Sequence, residues 1–189
     1  MATPRVPVNS LILDYDLYPR GGIDSQNVSR MVLALEAGTA LPPVVIDRKT
    51  RKVIDGFHRC KATLRFGGEL AEIAIVERDY KNEQEMLLDA GKMNAPHGLA
   101  MDKHDRVHFA LKARKMGIGE KRIAEAINMT LKRWKYFLTQ LRRRGVSLEV
   151  AMRLSDHRDL KTVVEAYRAV SDDELLEALG RKAERKEEA

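Results

Sequence analysis

The 189-residue chain reads as α+β, an α/β part followed by an all-α part that contains a helix-turn-helix pattern. Three observations predict this. Short β-branched runs alternate with helical patterns over the first ninety residues, and everything after Met101 is helix-periodic with brief Gly, Ser or Asn breaks. The charge changes at the same place: residues 1–100 carry 13 basic and 13 acidic side chains, residues 101–146 carry 13 and 4, and residues 147–189 carry 8 and 11, a net of +6. With 44% apolar and 33% charged residues and no long uncharged apolar run, the composition excludes a membrane span and a disordered chain. Met1-Ala2-Thr3-Pro4-Arg5 does not open an export signal, so a cytoplasmic location is expected. One cysteine, Cys60, excludes an internal disulfide and a cysteine-built zinc site.

Taken in order, Ser10 to Asp14 reads as a strand entering a turn at Tyr18-Pro19-Arg20-Gly21-Gly22, where proline and paired glycines break regular structure. Asp24 or Ser25 caps a helix with Val28, Met31, Val32 and Leu35 at helical spacing, ended by Gly38. Val44-Val45-Ile46 is a strand, a charged turn follows from Asp47 to Lys52, and Val53-Ile54 returns. The chain turns at Asp55-Gly56, runs as a helix to Phe66 and stops at Gly67-Gly68. Ala71 to Val76 is poor in alternation and reads as a strand buried on both faces. From Asp102 a capped helix turns Val107, Ala110 and Leu111 inward and ends near Met116-Gly117. A short helix from Glu120 to Ile127, a turn at Asn128-Met129-Thr130 and a helix to about Arg142 follow, and Ser171-Asp172-Asp173-Glu174 is a capping box for a last helix.

The stretch richest in chemistry is Val53-Ile54-Asp55-Gly56-Phe57-His58-Arg59, a strand that turns at glycine into a helix. Such a turn aims backbone N–H groups and the positive helix end at one point, which suits an anion. Gly56 allows close approach to the backbone, and His58 and Arg59 in the first turn can hold phosphate oxygens. The residues alone equally allow a structural glycine flanked by two surface side chains.

Asp55-Gly56-Phe57-His58-Arg59 resembles the Gly-x-His-Arg or Gly-Glu-Arg-Arg signature of the ParB/sulfiredoxin superfamily, whose N-terminal domains bind a nucleoside triphosphate through that turn. Leu17-Tyr18-Pro19-Arg20 resembles the Pro-x-x-Pro-Arg stretch near the start of ParB domains, and Met93-Asn94-Ala95-Pro96-His97 is similar to the family's Glu-Asn-x-x-Arg segment. The resemblance implies a ParB/sulfiredoxin-like nucleotide-binding domain over residues 8–92, with Arg20, Gly56, His58, Arg59, Asn94 and His97 around the phosphates. The implied cofactor is CTP or ATP, with magnesium as an optional companion. Met93 stands where the family has an acid, and no residue is assigned to metal. Phe57 stands where sulfiredoxin needs its nucleophilic cysteine, which excludes that activity. Asp55 is the candidate acid–base or magnesium-positioning residue, since members with His-Arg include kinases of this fold; an Asp in a turn equally serves as an Asx cap.

Ile123-Ala124, Ile127, Asn128, Thr130 and Trp134 match helix-turn-helix spacing, with Asn128 at the position that tolerates positive φ and Thr130 as the cap of the second helix. That cap places Lys132, Arg133 and Lys135 near the start of a recognition helix, and Arg142, Arg143 and Arg144 can grip phosphate at its end. Two short helices can match this spacing without binding DNA; in the ParB family the same element follows the nucleotide domain. His104-Asp105-Arg106-Val107-His108 is similar to the zinc motif His-Glu-x-x-His, but the shorter Asp and the missing third ligand argue against zinc; either His104 and His108 line a polar helix face, or His104 or Arg106 reaches bound phosphates.

The expected protein is thus a nucleotide-responsive DNA-binding protein, a regulator or partition-type protein of a plasmid or other mobile element. A helix-turn-helix domain is expected over 93–146 and C-terminal helices over 147–189. DNA, the nucleotide and, as an open alternative, a second copy of the chain are its partners, and no membrane is implied. The rival is an enzyme of the same fold, a nucleotide-dependent kinase, nucleoside triphosphatase or nuclease built around Asp55.

Overall fold

β-branched residues at 44–46 and 53–54 and apolar residues at 73 and 75 supply a four-stranded mixed sheet, seen in a computed structural model that describes residues 3–95, 101–130 and 132. Its strands are β1 (Arg5–Pro7), β2 (Val44–Asp47), β3 (Val53–Asp55) and β4 (Glu72–Arg78), in the order β1-β4-β2-β3. β1 runs antiparallel to β4, with Val6 opposite Ile73, and β2 pairs antiparallel with β3 as a hairpin. β2 and β4 are parallel, with Val44 beside Ile75, so the connection between them must cross over; α2 (Phe57–Gly67) lies in it.

The hairpin turn is built by Asp47. Its carboxylate accepts from the Thr50 amide at 2.8 Å and the Thr50 hydroxyl at 2.6 Å, while Arg51 takes a positive φ of 61°. All of β2 is buried, and Val44, Ile46 and Val53 form one core with Tyr18, Phe57 and Cys60. β4 is not buried on both faces as its sequence suggests. Ile73 and Ile75 are buried, whereas Glu72, Val76 and Arg78 are exposed, so one face of the strand is covered and the other open.

The strand expected over Ser10–Asp14 does not form. Pro7 ends β1, the Ser10 hydroxyl donates to the Pro7 carbonyl at 2.7 Å, and Val8–Ser10 winds into a 3-10 turn. Only Ile12 then pairs with a neighbour, bridging to Lys52 beside β3. The helix α1 (Ser25–Glu36) starts where Asp24 caps it, accepting from the amides of Gln26 and Asn27 at 2.9 and 3.1 Å. It packs on α2 and buries Val28, with Met31, Val32 and Leu35 half-buried.

A helix absent from the sequence reading, α3 (Glu83–Asn94), follows β4. Its start is capped by Asn82, which accepts from the Glu85 amide at 3.0 Å. α4 (Lys103–Lys115) is capped by Asp102, which accepts from the Asp105 amide at 2.8 Å. Ala110 and Leu111 are buried as expected and Val107 half-buried, with His108 and Phe109 buried beside them. α5 (Glu120–Ala126) packs on α3 and α4 with Ile123, Ala124 and Ile127 buried. Asn128 follows it at φ 50°, the left-handed geometry expected at the turn of a helix-turn-helix. Residues through Asn128 form one compact unit, and a second begins at Met129. The second helix to Arg142 and the helix expected after Ser171 lie outside the described residues.

Candidate functional site

β3 ends at Asp55, Gly56 turns the chain at φ 112°, and α2 begins at Phe57. A Cβ built on Gly56 would stand 2.5 Å from Val44 Cγ1 and 2.9 Å from Val44 Cβ. The fold itself therefore demands glycine here, through both the backbone angle and the packing on β2, independently of any ligand. The first intrahelical bond of α2 runs from the Cys60 amide to the Gly56 carbonyl at 2.9 Å, so the amides of residues 57–59 precede the ladder and carry the positive end of the helix.

Around this turn the structure gathers Arg20, Asp55, His58, Arg59 and Asn94. Asp55 Oδ2 pairs with Arg59 Nη2 at 2.5 Å, and Asp55 Oδ1 accepts from Asn94 Nδ2 at 3.2 Å. Asn94 Oδ1 in turn accepts from Nε and Nη2 of Arg20, each at 3.3 Å. The other face of Arg59 donates to the carbonyls of Pro42 and Pro43, the residues that lead into β2. Three segments distant in sequence, the Arg20 loop, the β3–α2 turn and the end of α3, are thereby stitched together by one chain of charge-assisted hydrogen bonds.

His58 faces α1. Its Nε2 accepts from the Asp24 amide at 3.1 Å, which requires the proton on Nδ1 and a neutral ring. Burial, helped by the neighbouring Arg20 guanidinium, lowers its pKa below the ordinary histidine value. Beside it an aromatic cluster backs the turn: the Tyr18 ring lies 4.6 Å from the Phe57 ring and 6.2 Å from His58. Cys60, one turn along α2, is buried with its thiol pushed up to about 12, consistent with packing and not with sulfur chemistry.

One member of the site was not foreseen. Asp105, in the first turn of α4, pairs with Arg20 Nη1 at 3.0 Å and accepts from the Gly21 amide at 3.2 Å. Burial outweighs the Arg20 charge and raises its carboxyl pKa above the ordinary aspartate value. In the sequence it sits between His104 and Arg106, the two residues considered for phosphate contact; the position of Arg106 is different, its Nε donating to the Met101 carbonyl at 3.2 Å. Among the described residues no group of three or more His, Cys, Asp or Glu is placed to hold a metal. No helix among them is long and apolar enough to cross a membrane.

Thr130 and Lys132 are exposed. His97, Arg133, Lys135, Arg142, Arg143 and Arg144 lie outside the described residues.

No protein-family model matches the chain. A possible regulatory protein of the streptomycin biosynthesis operon of Streptomyces griseus is 36% identical over 106 residues, which is 56% of this chain and 28% of that protein. The transcriptional regulator NovG of Streptomyces niveus is 33% identical over 102 residues, 54% of this chain and 30% of its own length. The chain thus spans under a third of either relative. Among solved structures, a Pnob8-like ParB N-terminal domain superposes with a TM-score of 0.55 at 15% identity, covering 81% of this chain and 79% of that one. The class defined by the sheet, the turn and the helices is therefore the ParB type of α+β fold. The chain shares that fold with the ParB N-terminal domain.

Proposed function

We propose that this chain is a ParB-type DNA-binding regulator whose DNA affinity responds to a nucleoside triphosphate held at the β3–α2 turn. The observation that carries the reading is the convergence of Arg20, His58, Arg59 and Asn94 on the start of α2. These side chains and the amides of residues 57–59 fit a phosphate chain, as two guanidinium groups, an imidazole Nδ1–H and a helix N-terminus can all donate to anionic oxygens. The names of the two Streptomyces relatives favour regulation of transcription over partition. Asp55 has one oxygen on Arg59 and one on Asn94, an arrangement that supports a positioning role over that of an acid–base residue.

In this proposal residues 8–92 hold the nucleotide and residues 93–146 bind DNA, α5 and the Asn128 turn forming the first half of a helix-turn-helix. Thr130, Lys132, Arg133 and Lys135 face DNA, and Arg142 to Arg144 contact phosphate. The test is a thermal-shift panel of CTP, ATP, GTP and UTP with magnesium. A ligand at a hundred times its Kd stabilises the native state by about 2.7 kcal/mol. One nucleotide is expected to raise Tm and to lose that effect in His58→Ala/Arg59→Ala; no shift with any of the four removes the nucleotide from the proposal. In the DNA arm, Lys132→Ala/Arg133→Ala is expected to lower affinity and reduce the slope of log K against log salt by about 2, one for each phosphate contact.

A further inference from the structure

Arg20 is only 7% exposed, although it is a residue the chain would need for an anion from solution. Its charge is already matched. Asp105 Oδ2 lies 3.0 Å from Arg20 Nη1, and the other oxygen of the same carboxylate takes the amide of Gly21, the next residue in the loop, at 3.2 Å. One carboxylate oxygen meets the guanidinium, a single charge-assisted contact of the kind a phosphate oxygen also makes. Asp105 Oδ2 thus takes the Nη1 donor of Arg20, and Oδ1 grips the backbone beside it.

The element that carries Asp105 gives this contact a consequence. Asp105 is in the first turn of α4, and Lys112, two turns further on the same helix, donates to the carbonyls of Tyr15 and Tyr18 at 2.8 and 3.0 Å. α4 thus holds the loop from Tyr15 to Gly21 at two points. The Asp105 contact is made to Arg20, the proposed anion-binding group, whereas the Lys112 contacts go to backbone carbonyls. α4 also packs on α5, the helix assigned to DNA binding.

We propose that Asp105 is a built-in competitor for the anion on Arg20, so that filling the site frees the first turn of α4 from the Arg20 loop while Lys112 keeps its hold. This rests on the reading of Arg20 as a phosphate-binding residue. It adds that the empty and filled sites differ in which anion Arg20 pairs with, and that the exchange is felt at the start of α4. Burial makes the exchange all-or-none in character: water is a poor substitute at a guanidinium this enclosed, and removing one partner leaves an uncompensated charge, so one anion must replace the other.

The test measures binding of CTP and of ATP, each with magnesium, to the full chain and to Asp105→Asn and Asp105→Glu. Asn keeps the size and one acceptor but loses the charge, so its affinity for the bound nucleotide is expected to rise at least about fivefold, the low end of usual couplings between sites. Asp105→Glu restores the anion and is expected to return toward the unaltered protein. Unchanged or weaker binding in Asp105→Asn overturns the proposal, because a residue that merely orients Arg20 for phosphate would weaken binding when altered. Hydrogen exchange on the unaltered chain supplies a second readout should Asp105→Asn not fold. Amides of residues 105–109 are expected to exchange faster when nucleotide saturates the site, and equal or slower exchange overturns the proposal. If neither the unaltered chain nor Asp105→Asn binds either nucleotide, the phosphate-site reading fails and takes this proposal with it. If both bind equally, only the competitor role fails.

Discussion

Asn94 and Asp55 are 39 residues apart in sequence and 3.2 Å apart in space, Asn94 Nδ2 donating to Asp55 Oδ1 at the end of β3. Since the amide oxygen of the same side chain accepts from Arg20, Asn94 is the neutral link between two ion pairs of opposite orientation, Arg20 with Asp105 and Arg59 with Asp55. Asn94→Ala leaves a carboxylate and a guanidinium each short of a partner, which costs about 1–3 kcal/mol. At about 2–4 °C per kcal/mol for a chain of this size, a thermal melt resolves that loss. Asn94→Asp places a third carboxylate in the group and is expected to weaken nucleotide binding more than Asn94→Ala does; equal affinities would show that Asn94 is structural only.

Gly56→Ala is expected to destabilise the protein whether or not a ligand binds there. The alanine Cβ would meet Val44 Cγ1 at 2.5 Å, and the residue would have to hold φ at 112°. Overpacking of this kind costs about 1–3 kcal/mol before backbone strain is added. Gly56→Ala/Val44→Ala makes room for the methyl but leaves the angle unchanged, so urea denaturation of the two variants separates steric from conformational cost. A Gly56→Ala protein as stable as the unaltered one would contradict the packing described at this turn.

How far these contacts could be read from the sequence depends on their range. β2, β3, α1 and α2 were legible because their signals are local: β-branched runs, Asp24 as a cap, and glycines after the last helical turn. The membership of Arg20, Asp55, Arg59 and Asn94 in one group was legible only through motif resemblance, as no periodicity relates positions 20, 55 and 94. Asp105 escaped because its partner is 85 residues away. In its motif the histidines at either end carry the more conspicuous chemistry. α3 has a start signal in Asn82 and Glu85 but only a weak apolar stripe behind it, and β1 is a three-residue strand ending in proline, too short to show alternation.

Gly91→Ala reverses an ordinary expectation. In an exposed helix interior the change is favourable by about 0.8–1 kcal/mol. Here a Cβ on Gly91 would lie 2.4 Å from Phe109 Cζ, and Phe109 is fully buried in α4. The ring cannot yield without shifting α4 against α3, so Gly91→Ala is expected to lower stability by about 1–3 kcal/mol. Gly91→Ala/Phe109→Leu should recover part of the loss relative to Phe109→Leu alone, a comparison read from a double-mutant cycle. A stabilising Gly91→Ala would rule out the close α3–α4 approach.

His58 makes stability depend on pH, and the sign follows from its lowered pKa. The unfolded chain takes up a proton at His58 near pH 6.5, whereas the folded chain does so only at lower pH, so between the two values the unfolded state binds more protons. Stability from this residue is therefore fully present above about pH 6.5 and is lost as pH falls through the folded value. The structural cause is direct: protonated Nε2 would become a donor facing the Asp24 amide, itself a donor, at the cap of α1. His58→Asn does not titrate, so its Tm should fall less than that of the unaltered protein between pH 7.5 and 5.5. Asp105 works in the opposite sense at lower pH, since a carboxyl raised by burial favours the folded state once protonated. Measuring the difference between the two proteins, and not the slope of either, isolates His58; parallel Tm curves would mean that the imidazole has the same pKa in the folded and unfolded chains, and a steeper fall in His58→Asn would mean that it is charged when folded and does not accept from Asp24.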